Sequence, residues 1–224
     1  MNYLTFKTLH KRESFLLIGK VFVPAIIFLW MVYQLGNSNG ISFGYFSRDA
    51  IQTLWHEPNA EVAFYIGFLS NIGVIFWCFT AAILFFSSKI SRDFGKSERL
   101  SQFFFFSGLL TTLLMIDDLF LMHDVIVPYY LEISEKFLYL FYGLYVLALL
   151  FLFKEIILES DYLLFLFAFA SLASSVITDV ILTIGISIKE TYLFEDGFKF
   201  LGIISWAIYF SRTCYFKLIQ VSTK

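Results

Sequence analysis

Long apolar stretches constrain this chain more than any other feature of its sequence. Six of them run for about 20 residues each, the length that an α-helix needs to cross the hydrocarbon core of a bilayer. Their predicted bounds are approximately 14–35, 59–86, 102–124, 134–156, 162–186 and 194–210. The sequence therefore predicts an all-α polytopic membrane protein, a six-transmembrane-helix bundle in one domain over residues 1–224.

Composition supports this class and excludes others. Hydrophobic residues make up 59% of the 224 residues and charged residues only 15%, with a mean hydropathy of +0.77. The formal net charge of −2 comes without a basic cluster, so no nucleic-acid partner is expected. Cys78 and Cys214 lie in no CxxC spacing and are interpreted as small buried hydrophobic residues.

The basic residues predict the orientation in the membrane. Placing both termini on the cytoplasmic side gathers 12 of the 16 Lys and Arg residues there, as the positive-inside rule requires. We therefore expect a protein integral to a bacterial-type inner or plasma membrane, with cytoplasmic termini. Residues 36–58 then form an outer loop, with a short helix capped by Ser47 that acts as an interfacial anchor or as a lid.

Four polar side chains lie at the outer end of the third predicted span: Asp117, Asp118, His123 and Asp124. A carboxylate at membrane depth costs about 2.5–3.5 kcal/mol on insertion scales, so it normally faces a partner or a wet cavity. If the helix were continuous, Asp117 and Asp124 would share one face. Asp118 would then lie about 100° round the helix and His123 about 120° the other way.

Further charged residues lie at a similar predicted depth on two other spans. Asp179 lies on the fifth span, and Glu195, Asp196 and Lys199 lie near the start of the sixth. With a rise of about 1.5 Å per residue, Asp117, Asp179 and Lys199 lie roughly 7–11 Å below the outer ends of their spans. We expect these side chains to meet in one carboxylate-rich site in the outer half of the bundle, with Lys199 and Asp196 as charge partners.

An excess of carboxylates at one level suggests a bound cation. Asp117, Asp124, Asp179 and His123 are the expected metal ligands, and an oxygen-rich set of this kind suits Mg, Ca, Mn or Fe better than Zn. The corresponding function is a metal-dependent membrane enzyme, a hydrolase or oxidoreductase that acts on a lipid or another apolar substrate. Asp118 or Glu195 would be its catalytic base.

Two other functions fit the same residues. In a small proton- or cation-coupled transporter or channel, Asp117, Asp179 and Lys199 would exchange charge partners during transport. In a structural or assembly subunit, alone or in an oligomer, Asp117 and Lys199 would form one buried ion pair that fixes the packing of the helices. The expected partners are the lipid bilayer and, for the enzyme, a lipid-like substrate.

Overall fold

The computed structural model describes residues 3–56, 63–95, 97–183 and 191–219. These residues contain eight α-helices and one π-helical segment, and their regular elements are all helical. The elements are α1 (Tyr3–Ser38), α2 (Phe43–Ser47), α3 (Ala50–His56), α4 (Phe68–Asp93), α5 (Glu98–Phe120), the π-helical segment (Met122–Tyr130), α6 (Glu135–Leu158), α7 (Tyr162–Thr183) and α8 (Thr191–Ile219).

Five of the described helices are long and apolar enough to cross a membrane. They are Leu16–Ser38 of α1, α4, α5, α6 and Tyr162–Val180 of α7. Their length and composition identify a helical membrane protein. Although α8 has 29 residues, it carries more charge than these five, so a sixth span and the cytoplasmic placement of the termini stay predictions.

Several bounds differ from those expected. α5 ends at Phe120 and the π-helical segment follows it, whereas the third span was predicted to continue to residue 124. α5 ends before Pro128, which lies inside the π-helical segment. The predicted start of the second span at residue 59 and the predicted end of the fifth at residue 186 lie outside the described residues.

The chain divides into two compact units, and the first comprises residues 1–73 and 163–206. Its buried core is formed by Leu29 and Val32 of α1, Phe43 and Phe46 of α2, Leu69 of α4 and Phe200 of α8. α7 and α8 also pack closely within this unit. A Cβ atom added to Gly202 would lie 2.7 Å from Cγ of Leu172, so the contact requires glycine.

The described part of the segment between α1 and α4 contains two short helices, α2 and α3, and the predicted cap at Ser47 is wrong. Ser47 ends α2, and its hydroxyl donates to Oδ2 of Asp196 at 2.6 Å. The first turn of α3 is instead capped by Asp49, whose Oδ1 accepts a hydrogen bond from the backbone N–H of Ile51 at 2.7 Å. An aspartate is as good a cap as a serine, and Ser47 is engaged with α8.

The second unit comprises residues 74–162 and 207–224. In it α4 and α5 form an antiparallel pair, because Trp77 contacts Asp118 while Ser88 hydrogen-bonds to Ser101. The ring of Phe103 on α5 lies 5.5 Å from that of Phe153 on α6 and 6.1 Å from that of Phe210 on α8. These aromatic contacts join α5, α6 and the last part of α8 in one core.

One end of the second unit carries paired charges. We call it the ion-pair end, and it comprises Arg99, Glu155, Glu159, Asp161, Arg212 and Lys217. Nε of Arg212 donates to Asp161 at 2.9 Å, and Nζ of Lys217 donates to Glu159 at 2.8 Å. Arg99 donates to the carbonyl oxygen of Leu152 at 2.8 Å, next to a non-helical residue, Phe153, that breaks α6.

Candidate functional site

The other end of α5 holds the candidate site, which we call the aspartate end: Asp117, Asp118, His123 and Asp124. α5 stops there because Leu121 adopts a left-handed conformation, with φ of 53°, and its N–H bonds back to the carbonyl oxygen of Asp117. This conformation costs a non-glycine residue about 1–2 kcal/mol. The π-helical segment starts directly after this one-residue turn.

This turn brings His123 onto Asp117. The backbone N–H of His123 donates to Oδ1 of Asp117 at 2.9 Å, and its ring Nδ1 lies 2.9 Å from Oδ2 of the same carboxylate. Asp117 is buried, with 7% of its surface exposed. A buried carboxylate requires hydrogen-bond partners, and here one residue supplies a partner for each oxygen atom.

A second carboxylate lies at the other ring nitrogen of His123. Nε2 is 3.4 Å from Oδ2 of Asp124, and the His123 side chain is 15% exposed. A neutral imidazole donates from only one nitrogen, while an imidazolium donates from both. The three side chains therefore form a short Asp–His–Asp chain in which protons can be held at two positions.

The expected helical phase of these residues was wrong. Asp117 and Asp124 were expected on one face of a continuous helix, with His123 turned about 120° away. Because Leu121 breaks the helix, His123 instead lies between the two carboxylates. The partner of Asp117 comes from six residues further along the chain and not from the face of α5 on which Asp117 lies.

Asp118 faces the neighbouring helix α4. Its Oδ2 accepts from the indole N–H of Trp77 at 3.1 Å, and it is 5% exposed. Its predicted role as a catalytic base stays a prediction. The contact with Trp77 identifies it at least as a residue that joins α4 to α5.

Three aromatic residues of the site were missed in the sequence: Trp77, Tyr139 and Tyr142. The ring of Tyr139 on α6 lies 5.6 Å from that of His123. Tyr142, one turn further along α6, is half-buried and within electrostatic range of Asp117 and Asp118. Their spacing of three residues would have placed both tyrosines on one face of α6, but no signal in the sequence indicated which helix that face contacts.

The remaining predicted site residues belong to the first unit. Asp179, Glu195, Asp196 and Lys199 are all partly buried, and Asp196 accepts the hydroxyl hydrogen bond of Ser47. Next to Asp179 on α7, the hydroxyl of Thr178 donates to the carbonyl oxygen of Ser174 at 2.8 Å. The meeting of these residues with Asp117 in one polar site stays a prediction.

At the aspartate end, the carboxylates of Asp117 and Asp124 face different ring nitrogens of His123, whereas metal ligands converge on one point. Across the described parts of the chain, no group of three or more His, Cys, Asp or Glu side chains is arranged to hold a metal ion. Cys78 and Cys214 are both free thiols; Cys214 is buried, as expected, and Cys78 is exposed.

The sequence was compared with models of known protein families, and one model matches most of the chain. A family model described as a domain of unknown function, DUF8692, matches residues 20–213. The chain belongs to the DUF8692 family. The matched region contains the whole aspartate end, so the site lies in the part of the chain that the DUF8692 model covers. No curated protein and no solved structure matches the chain.

Proposed function

We propose that this protein is a membrane-embedded enzyme that acts on a lipid or another apolar substrate, with His123 as its acid–base group. The observation that carries the proposal is the pair of contacts between His123 and the buried carboxylate of Asp117. An imidazole held at Nδ1 by a buried carboxylate has its other nitrogen oriented for proton exchange, the requirement for general acid–base catalysis.

Each residue of the aspartate end then has its own role. Asp117 positions the imidazole through Nδ1 and the backbone N–H. Nε2 of His123 exchanges a proton with the substrate, and Asp124 beside it accepts or returns that proton. Asp118, held by Trp77, and Glu195 in the first unit remain the predicted alternative bases.

The surroundings of the site favour an apolar substrate. Phe120, Tyr129 and Tyr130 are all more than half exposed next to the aspartate end. At the end of a membrane-crossing helix, exposed aromatic rings lie at the level of the lipid headgroups. In the proposed function, a lipid approaches His123 from this level of the bilayer.

We take the metal-free reaction as the first form of the proposal, because the carboxylates of Asp117 and Asp124 face different ring nitrogens of His123 and do not converge on one point as metal ligands do. A divalent Mg, Ca, Mn or Fe ion, with Asp179 as a further ligand, remains the metal-dependent form of the proposal. Elemental analysis of the purified protein separates the two forms, and we expect no stoichiometric metal.

A second candidate function is proton-coupled transport. The observation that favours it is the continuity of Asp117, His123 and Asp124, since contiguous ionisable groups at membrane depth are typical of proton relays. Here the proton would pass on to another group, and no substrate would be changed chemically.

One reconstitution experiment tests both functions. The wild type, His123→Gln and the control Arg212→Gln are placed in liposomes of total lipid from the expression host, with a pH-sensitive dye inside. Lipid composition is followed by mass spectrometry and proton movement by the dye. We expect a lipid change with the wild type and the control but not with His123→Gln.

Each other outcome contradicts the proposed enzyme. A pH gradient that collapses in a His123-dependent manner while the lipids stay unchanged would establish the transport function. If neither readout differs from empty liposomes, the enzyme proposal is wrong and the aspartate end serves packing alone.

A further inference from the structure

The imidazole of His123 has an aromatic neighbour as well as its two carboxylates. The ring of Tyr139 on α6 has its centroid 5.6 Å from that of His123, and the two ring planes make an angle of 48°. Interacting aromatic pairs have their centroids about 4.5–7 Å apart and are often tilted in this way. The two rings therefore form an aromatic pair that joins α6 to the proposed acid–base residue.

The two carboxylate contacts of His123 differ in length. Nδ1 lies 2.9 Å from Oδ2 of Asp117, whereas Nε2 lies 3.4 Å from Oδ2 of Asp124. Hydrogen bonds from N–H to oxygen are usually about 2.7–3.2 Å long, so the contact at Nε2 is the weaker of the two. A ring that is held firmly at one nitrogen can still tilt about that contact. The orientation of Nε2 towards Asp124 therefore needs a further constraint.

α6 is placed to supply this constraint, because it is fixed at several points. It packs on both α5 and the π-helical segment. The hydroxyl of Tyr145, further along α6 than Tyr139, donates to the carbonyl oxygen of Phe106 at 3.1 Å. Beyond it, the ring of Phe153 lies 5.5 Å from that of Phe103 on α5. A side chain on a helix held in this way has a well-defined position.

The exposure of the three polar side chains shows why the orientation of Nε2 matters. The side chains are 10% exposed for Asp117, 15% for His123 and 24% for Asp124. Nδ1 therefore faces the more closed side of the site, and Nε2 faces the more open one. A proton can be exchanged with a bound molecule only from a nitrogen that is directed at the open side.

We propose that Tyr139 is a positioning residue, whose ring holds the imidazole of His123 so that Nε2 stays directed at Asp124. The ring acts through packing, so the hydroxyl group of Tyr139 is not required. The positioning is independent of any substrate, while its importance for catalysis rests on the proposed function. Tyr139 acts there through His123 and needs no contact with the lipid.

Histidine-selective ¹⁵N NMR in nanodiscs tests the positioning without a substrate. The measured quantity is the displacement of the His123 Nε2 signal that Asp124→Asn causes, which reports how often Nε2 faces that carboxylate. It is compared in the wild type, Tyr139→Leu, Tyr139→Phe and Tyr145→Leu. Leucine at 139 removes the ring, and phenylalanine removes only the hydroxyl. Tyr145→Leu is the matched control, because it removes a ring from α6 at the contact with Phe106.

We expect Tyr139→Leu to lower the ratio of the Asp124-facing orientation to all others by about 2- to 12-fold, the usual contribution of an aromatic pair. The Nε2 displacement should shrink accordingly, and Tyr139→Phe and Tyr145→Leu should keep the wild-type value. If Tyr139→Leu does not fold, Tyr139→Met takes its place. An undiminished displacement in Tyr139→Leu would overturn the proposal, and so would an equal loss in Tyr139→Phe or Tyr145→Leu.

The liposome assay separates this proposal from the proposed enzyme. If the wild type changes the lipids, Tyr139→Leu should lower kcat by a similar factor and leave KM nearly unchanged, because Tyr139 does not bind the lipid. A wild-type kcat in Tyr139→Leu would overturn its positioning role. A smaller Nε2 displacement in Tyr139→Leu, combined with no lipid change by the wild type, would reject the enzyme and keep the positioning role.

Discussion

The acidic residues at the two ends of the second unit have different kinds of partners. At the ion-pair end, acidic residues are paired with arginine and lysine at distances such as 2.9 Å for Arg212 and Asp161, and several of these side chains are largely exposed. At the aspartate end, two buried carboxylates contact the imidazole of His123 and the indole of Trp77. About 27 Å of α5 separates the ends.

We interpret this contrast as the difference between a structural role and the function that we propose. Exposed ion pairs contribute about 0–1 kcal/mol each, enough to fasten the α6–α7 turn to α8. Burying Asp117 and Asp118 is unfavourable by comparison, and apolar residues would fill the same space without that cost. The burial of these carboxylates, one of them in contact with a histidine, supports our proposal of a function in proton chemistry.

The largest effect is expected for His123→Gln in the liposome assay. Glutamine keeps the size and a hydrogen-bond donor but cannot exchange a proton at neutral pH. We expect the rate of the lipid change to fall by about 10²–10⁴-fold, the usual contribution of a general acid–base group. Arg212→Gln, at the ion-pair end, should leave the rate unchanged, and an equal loss in both variants would mean that the two ends do not differ in role.

A double-mutant cycle on Asp117→Asn and His123→Gln measures the coupling at the aspartate end. We expect a coupling free energy of about 1–3 kcal/mol, because each single change leaves a buried polar group without its partner. The measurement is reversible unfolding in mixed micelles. Additive effects of the two substitutions would show that the coupling free energy between Asp117 and His123 is zero.

The same cycle on Asp161→Asn and Arg212→Gln gives the comparison at the ion-pair end. The Arg212 side chain is 37% exposed, so we expect a coupling of only about 0.2–1 kcal/mol that weakens in high salt. Coupling as strong as that of Asp117 and His123 would remove the energetic difference between the two ends.

The smallest effect is expected at Glu132, which follows the π-helical segment with φ of 55° and is exposed. Glycine adopts this conformation without strain, so Glu132→Gly should raise the unfolding free energy by no more than about 1 kcal/mol. Glu132→Val should lower it, since a β-branched residue is strained in this region. Equal unfolding midpoints for the two variants would contradict the observed backbone.

The membrane character of the fold was predictable because it depends on local composition. Five apolar stretches were found as membrane-length helices from length and hydropathy alone. The position at which α5 ends was not predictable. The residue that breaks the helix is Leu121, and leucine is not a typical left-handed residue. Pro128 indicated a disturbed helix nearby but not where the regular turns would stop.

The aspartate end was predictable as a group of residues but not as a geometry. Intramembrane aspartates stand out against an apolar background, so Asp117 and Asp118 could be singled out. The partners of these aspartates could not be predicted, because His123 contacts Asp117 only as a result of the helix break at Leu121. Trp77 reaches Asp118 only through the register of α4 against α5, which depends on contacts such as that of Gly108 with Phe85.

The most direct test of the Asp117–His123–Asp124 arrangement is ¹⁵N NMR of histidine-labelled protein in nanodiscs, with the His123 signals assigned by their loss in His123→Gln. We predict that Asp117→Asn shifts mainly the Nδ1 signal and Asp124→Asn mainly the Nε2 signal, because each carboxylate faces a different ring nitrogen. Signals that stay unchanged in both variants would contradict the arrangement and the function that we derive from it.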